Sequence, residues 1–62
     1  MNYQQAVEYS KTTGKKIKHE YFCDDEYFVW SRGKLRCELG YDMTPWYTGL
    51  DWQNETWYAI AE

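Results

Sequence analysis

The sequence predicts an α+β fold: an N-terminal helix packed on a small antiparallel sheet of about four strands, with a short helical turn before the last strand. Three observations predict it. The chain opens on a segment with helical spacing and a capping signal at each end. Short runs of alternating apolar and polar residues follow. Turn chemistry, including Gly33, Gly40 and Gly49, separates those runs.

Residues 2–13 read as the helix. Tyr3, Ala6, Val7 and Ser10 fall on one helical face, Asn2 is the N-cap, and Gln5 stands three residues on as its capping-box partner. Lys11 suits the negative end of the helix dipole, and Gly14 supplies the left-handed position that ends the helix. Residues 15–22 read as the first strand, with Ile17, His19 and Tyr21 alternating against Lys16, Lys18, Glu20 and Phe22. Cys23-Asp24-Asp25 breaks that pattern as a turn. Glu26 to Trp30 is the second strand and Lys34 to Leu39 the third, joined through Ser31-Arg32-Gly33.

The length of that connection decides which side chains share a face. A two-residue loop needs a positive φ at Arg32, which a long side chain resists; a three-residue loop with Gly33 left-handed does not. The expected register therefore pairs Trp30 with Lys34 and Phe28 with Arg36. It gathers Phe28, Trp30, Lys34 and Arg36 on one aromatic and basic face, and leaves Tyr27, Val29, Leu35 and Cys37 as the core face under the helix. Further along, Thr44 and Pro45 read as the cap and first residue of a short helical turn carrying Trp46 and Tyr47 and ending by Gly49. Asp51 to Asn54 is turn-like, and Thr56 to Ile60 is the last strand, with Trp57 and Ala59 on one side and Tyr58 and Ile60 on the other.

Sixty-two residues are one domain, 1–62, and so short a chain builds a thin core that a partner subunit would help to stabilise. A dimer or tetramer is the expected state. Two cysteines, Cys23 and Cys37, are too few for a disulfide scaffold, and the polar opening Met1-Asn2-Tyr3-Gln4-Gln5 lacks an apolar signal segment. The expected location is the cytoplasm, with reduced thiols. The chain has no apolar run of membrane-spanning length, and a net charge of -3 argues against nucleic acid as a partner.

Four Trp, seven Tyr and two Phe make 21% of the chain, whereas Ile, Leu and Val are scarce. So many rings fill a tiny core and leave some for a pocket or an interface. Phe28 and Trp30 offer flat surfaces to a base, and Lys34 and Arg36 offer donors to phosphate, with His19, Trp46 and Trp52 as further candidate contacts. Catalysis is not expected: His19 is the sole histidine and has no evident acid–base partner, and Ser10 and Ser31 lack a nucleophile's setting. Neither a metal nor a cofactor is expected; Asp24-Asp25-Glu26 lacks the spacing of a calcium loop.

The order of short motifs resembles a known family. Met1-Asn2-Tyr3-x-x-Ala6, then Gly14-Lys15-Lys16-Ile17, an aromatic after a short basic strand, Tyr27 followed by Gly33-Lys34-Leu35, and a terminal strand with Trp57 together look like the small phage proteins of the Thoeris anti-defence family, second type. That resemblance implies an oligomeric sponge that sequesters a nucleotide-derived immune signal, such as a cyclic ADP-ribose isomer, in pockets between subunits. Lys18, His19 and Phe22 stand where the family shows Arg-Arg and a Trp, and Thr56 stands where an acid precedes the last Trp. The alternative expectation is a protein–protein inhibitor that blocks a host defence protein by direct contact, since Trp and Tyr also make interface hot spots.

Overall fold

The computed structural model describes residues 1–60. Helix α1 spans Tyr3–Thr13, and both ends are set by the residues the sequence marks. Asn2 Oδ1 accepts the Gln5 N–H at 2.7 Å while Gln5 Oε1 accepts the Asn2 N–H at 3.0 Å. Gly14, at φ 72°, donates its N–H to the Ser10 carbonyl. Ala6 and Ser10 are fully buried against the sheet.

Strands β1 (Ile17–His19), β2 (Phe28–Ser31), β3 (Lys34–Cys37) and β4 (Trp57–Ala59) form one antiparallel sheet in the order β3-β2-β1-β4. The first strand stops sooner than its alternation suggests. The Phe22 N–H donates to the His19 carbonyl at 2.9 Å, so the chain turns at once. Continued as a strand, Phe22 would share the side of Lys16 and Lys18; turned, it packs on Phe28 at 4.9 Å and Trp57 at 5.5 Å. Burial of a ring outweighs a few more ladder residues.

The β2–β3 register differs from the expected one. Ser31 pairs with Lys34, Trp30 with Leu35, Val29 with Arg36 and Phe28 with Cys37. The loop is the two-residue Arg32-Gly33, at φ 53° and 79°, a turn whose twist matches the strands it joins. Holding Arg32 left-handed costs about 1–2 kcal/mol. In exchange Phe28 and Leu35 reach the core together, each contributing roughly 1.5–3 kcal/mol. The consequence is a change of faces: Phe28, Trp30, Leu35 and Cys37 look toward α1, and Tyr27, Val29, Lys34 and Arg36 look away.

Beyond β3, a 3-10 turn covers Thr44–Trp46, with Pro45 at its start as expected. Thr44 is not the cap. Met43 holds that position, and Asp42 Oδ1 accepts the Thr44 N–H at 3.0 Å. A second 3-10 turn, Asp51–Asn54, leads into β4 through Thr56, which adopts φ 62°. The core is Ala6, Ile17, Phe28, Leu35 and Trp57, with Tyr3, Phe22, Trp30 and Trp46 packed around it. Tyr21, Tyr41, Trp52 and Tyr58 remain exposed. Cys23 and Cys37 are unpaired. No helix among the described residues is long and apolar enough to cross a membrane.

Candidate functional site

A groove of about 580 Å³ runs along one flank of α1, within the range of small-molecule sites. Tyr3, Gln4, Val7, Glu8 and Lys11 line it from the helix, with Asn2 at the cap, Trp30 from β2, and Tyr47 and Asn54 from the loops before β4. The helix supplies this row because its positions i, i+4 and i+8 form one stripe: Tyr3, Val7 and Lys11.

Both ends of the groove are built on rings. The Tyr3 and Tyr47 rings stack at 4.0 Å between centroids and only 4° from parallel. At the other end the Lys11 ammonium lies 5.3 Å from the Trp30 ring centroid. Burial, followed by the neighbouring Tyr47 hydroxyl, pushes the Tyr3 phenol above its ordinary value. The Tyr3 phenol is therefore a neutral donor at physiological pH.

One buried side chain positions the Tyr47 wall. Gln53 Oε1 accepts from Thr48 N at 3.0 Å, Thr48 Oγ1 at 3.0 Å and Leu50 N at 3.2 Å, and its Nε2 donates to the Trp46 carbonyl at 2.8 Å. Gln53 also accepts the Trp57 indole N–H on its backbone carbonyl at 2.6 Å. It thus ties the segment 46–50 to the core strand.

The sequence-predicted residues divide among three places. Trp30 lines the groove. Phe28, at 1% exposure, is core and cannot reach a ligand. Trp46 is half-buried against Phe28 at 5.2 Å and Trp57 at 5.7 Å, so it packs rather than presents a surface. His19 is fully buried, and both ring nitrogens are used inside the protein. Its Nδ1 accepts the Tyr21 N–H at 3.1 Å, so Nε2 holds the proton and donates to the Trp52 carbonyl at 2.6 Å. Thr56 Oγ1 lies 3.2 Å from the same Nε2. His19 is a latch for the Asp51–Asn54 turn. Trp52 itself sits exposed above it, beside Tyr21 at 6.0 Å.

The chain matches no family model, no curated protein and no solved structure. Its own geometry is therefore what bears on its chemistry.

Lys34 and Arg36 do not join Phe28 and Trp30; the two-residue turn puts them on the opposite side of the sheet. Lys34 stands 3.7 Å from Asp42 there. The backbone N–H of Thr44, more than any cation, holds the Asp42 carboxyl below its ordinary value. The groove residues Tyr3, Glu8, Lys11 and Tyr47 were not among the sequence-derived candidates. Helical spacing identifies Tyr3 and Val7 as one stripe, but nothing in the sequence brings Tyr47 or Trp30 to it.

Proposed function

We propose that this protein is a binding protein that captures a small nucleotide-derived ligand in the groove beside α1. The observation that carries this reading is the composition of that groove: aromatic rings at both ends, with Lys11 beside the Trp30 ring and Glu8 in the same lining. A base is a flat apolar face with a polar edge. Trp30 and the Tyr3–Tyr47 pair offer rings to its face, and the amides of Gln4 and Asn54 offer donors and acceptors to its edge. A carboxylate such as Glu8 accepts from ribose hydroxyls, and an ammonium such as Lys11 faces a phosphate. The groove is open on one side. A second copy closing it, in a dimer or tetramer, belongs to this reading, as does a role in sequestering an immune signal.

The experiment is a thermal-shift panel of cyclic ADP-ribose isomers, cyclic dinucleotides and linear mononucleotides. At one hundred times Kd a ligand stabilises by about 2.7 kcal/mol, which in so small a domain raises Tm by roughly 10 °C or more. Trp30→Ala and Lys11→Glu each remove the shift. A panel that gives no shift at concentrations well above micromolar rejects the reading, and a solution mass of one chain rejects its oligomeric part.

A second reading rests on a different observation. Tyr21 is 69% exposed, and Leu50 and Trp52 are exposed as well. Tyr and Trp are the residues of protein hot spots, and direct blockade of a host protein would use this end. Tyr21→Ala with Trp52→Ala then abolishes inhibition while leaving nucleotide-induced shifts intact.

A further inference from the structure

One end of the groove joins a fixed ring to a movable cation. The Trp30 backbone N–H donates to Ser10 Oγ at 2.8 Å, Trp30 pairs with Leu35 in the sheet, and its half-buried ring packs on the core. The ring therefore stays where it is. Lys11 follows Ser10 on α1, so the same hydrogen bond sets the root of its side chain beside Trp30. Beyond that root the lysine is exposed, on a flexible four-carbon stem.

The ammonium lies 5.3 Å from the Trp30 ring centroid, inside the distance at which a cation is drawn to an aromatic face. A carboxylate is also within its reach along the chain. Glu8 stands three residues earlier on the same helix, a spacing that suits an ion pair. Both residues line the groove, yet among the described residues neither forms a salt bridge. Glu8 and Lys11 are the charged members of that lining, so Lys11 is its cation.

The opposite end is built in another way. Tyr3 and Tyr47 lie 4.0 Å apart and 4° from parallel, so each covers the other's inner face. Among the described residues no ring stacks on Trp30 in this manner; what stands over it is Lys11. A base that stacks on Trp30 from the groove has to take the place of that ammonium. A phosphate on the same ligand gives the ammonium a stronger partner, because a charge-assisted bond outweighs a contact with a ring at an exposed site.

We propose that Lys11 determines specificity in this groove: its ammonium caps the Trp30 ring until a phosphate draws it off, so the site takes nucleotides in preference to nucleosides, a step that rests on the reading of the groove as a nucleotide site. A nucleoside displaces the ammonium and leaves it only water. A cation over an exposed ring is worth a factor of roughly two to five in affinity, and the nucleoside loses that factor. A nucleotide recovers it and adds the attraction of the phosphate.

The test is isothermal titration calorimetry of the whole chain and of Lys11→Ala with the common 5′-mononucleotides and their nucleosides. Alanine removes the cap and keeps the helix, and circular dichroism verifies the fold. The wild-type chain is expected to bind its preferred mononucleotide at least about tenfold more tightly than the matching nucleoside. In Lys11→Ala the mononucleotide weakens, whereas the nucleoside tightens roughly two- to fivefold. The second change is the signature of a cap, since plain attraction of phosphate leaves a nucleoside untouched. A nucleoside that binds both chains alike, or binds Lys11→Ala more weakly, overturns the proposal while the groove stands as a nucleotide site. No binding of any of these ligands to either chain overturns the reading of the groove and the proposal with it. The cap is also visible without ligand. The Lys11 ε-methylene protons are expected upfield of their usual position, under the Trp30 ring current, and back at that position in Trp30→Ala. An unshifted signal in the free wild-type chain overturns the proposal as well.

Discussion

The Ser10 hydroxyl accepts the backbone N–H of Trp30 at 2.8 Å and donates to the Lys15 carbonyl at 2.6 Å. One fully buried side chain thus fastens the last turn of α1 to β2 and to the chain entering β1. Ser10→Ala leaves an N–H and a carbonyl without a partner, a loss of about 1–3 kcal/mol. Urea unfolding followed by Trp fluorescence measures it, and the midpoint falls with little change in slope. An unchanged midpoint removes Ser10 from this role.

Gln53 holds the Tyr47 wall by four side-chain hydrogen bonds, and it is 4% exposed. Gln53→Ala frees the segment 46–50 and costs at least about 2 kcal/mol, a large part of what so small a core supplies. Gln53→Glu sets a carboxylate oxygen against the Trp46 carbonyl in a buried site, so it too destabilises at neutral pH, and it recovers relative to Gln53→Ala at acid pH, where the protonated carboxyl donates in place of Nε2. The ordering of the two variants in thermal unfolding at neutral and at acid pH checks the assignment.

Arg32 occupies the left-handed region in the β2–β3 turn at φ 53°. Asn tolerates that region and precedes Gly in the favoured turns of this length. Arg32→Asn therefore stabilises by roughly 1 kcal/mol, a rise in Tm of about 4–8 °C. A fall in Tm contradicts the two-residue turn.

Tyr3 has its phenol raised above 10.0 by burial, then by Tyr47. A group whose folded value lies above its unfolded one contributes stability that is complete below the unfolded value and lost as pH rises through the folded value. Alkaline unfolding is therefore expected to begin above pH 10, and Tyr3→Phe shifts it upward, since Phe cannot ionise. Stability against pH for the two proteins, with tyrosinate absorbance in parallel, reads this directly. Identical alkaline profiles place the effect elsewhere.

Much of the fold was legible because its signals act over a few residues. Asn2, Gln5 and Gly14 mark the two ends of α1 by capping geometry, which depends only on neighbours in the chain. The alternation at Trp57 to Ile60 assigns the sides of β4 correctly for the same reason. The site was legible only in part. Trp30 lies at the groove, but Phe28, Trp46 and His19 went to the interior, and Lys34 and Arg36 to the other side of the sheet.

By itself, then, the sequence determined the α+β class, the helix with its caps, and the order of strands and turns along the chain. The tertiary structure alone decided the hairpin register, the early end of β1 and the residues that share each face. The reason is that local preference at Arg32 and the burial of Phe28 and Leu35 oppose each other. Turn strain is a property of two residues, whereas the burial that overrides it exists only once α1 has covered the sheet.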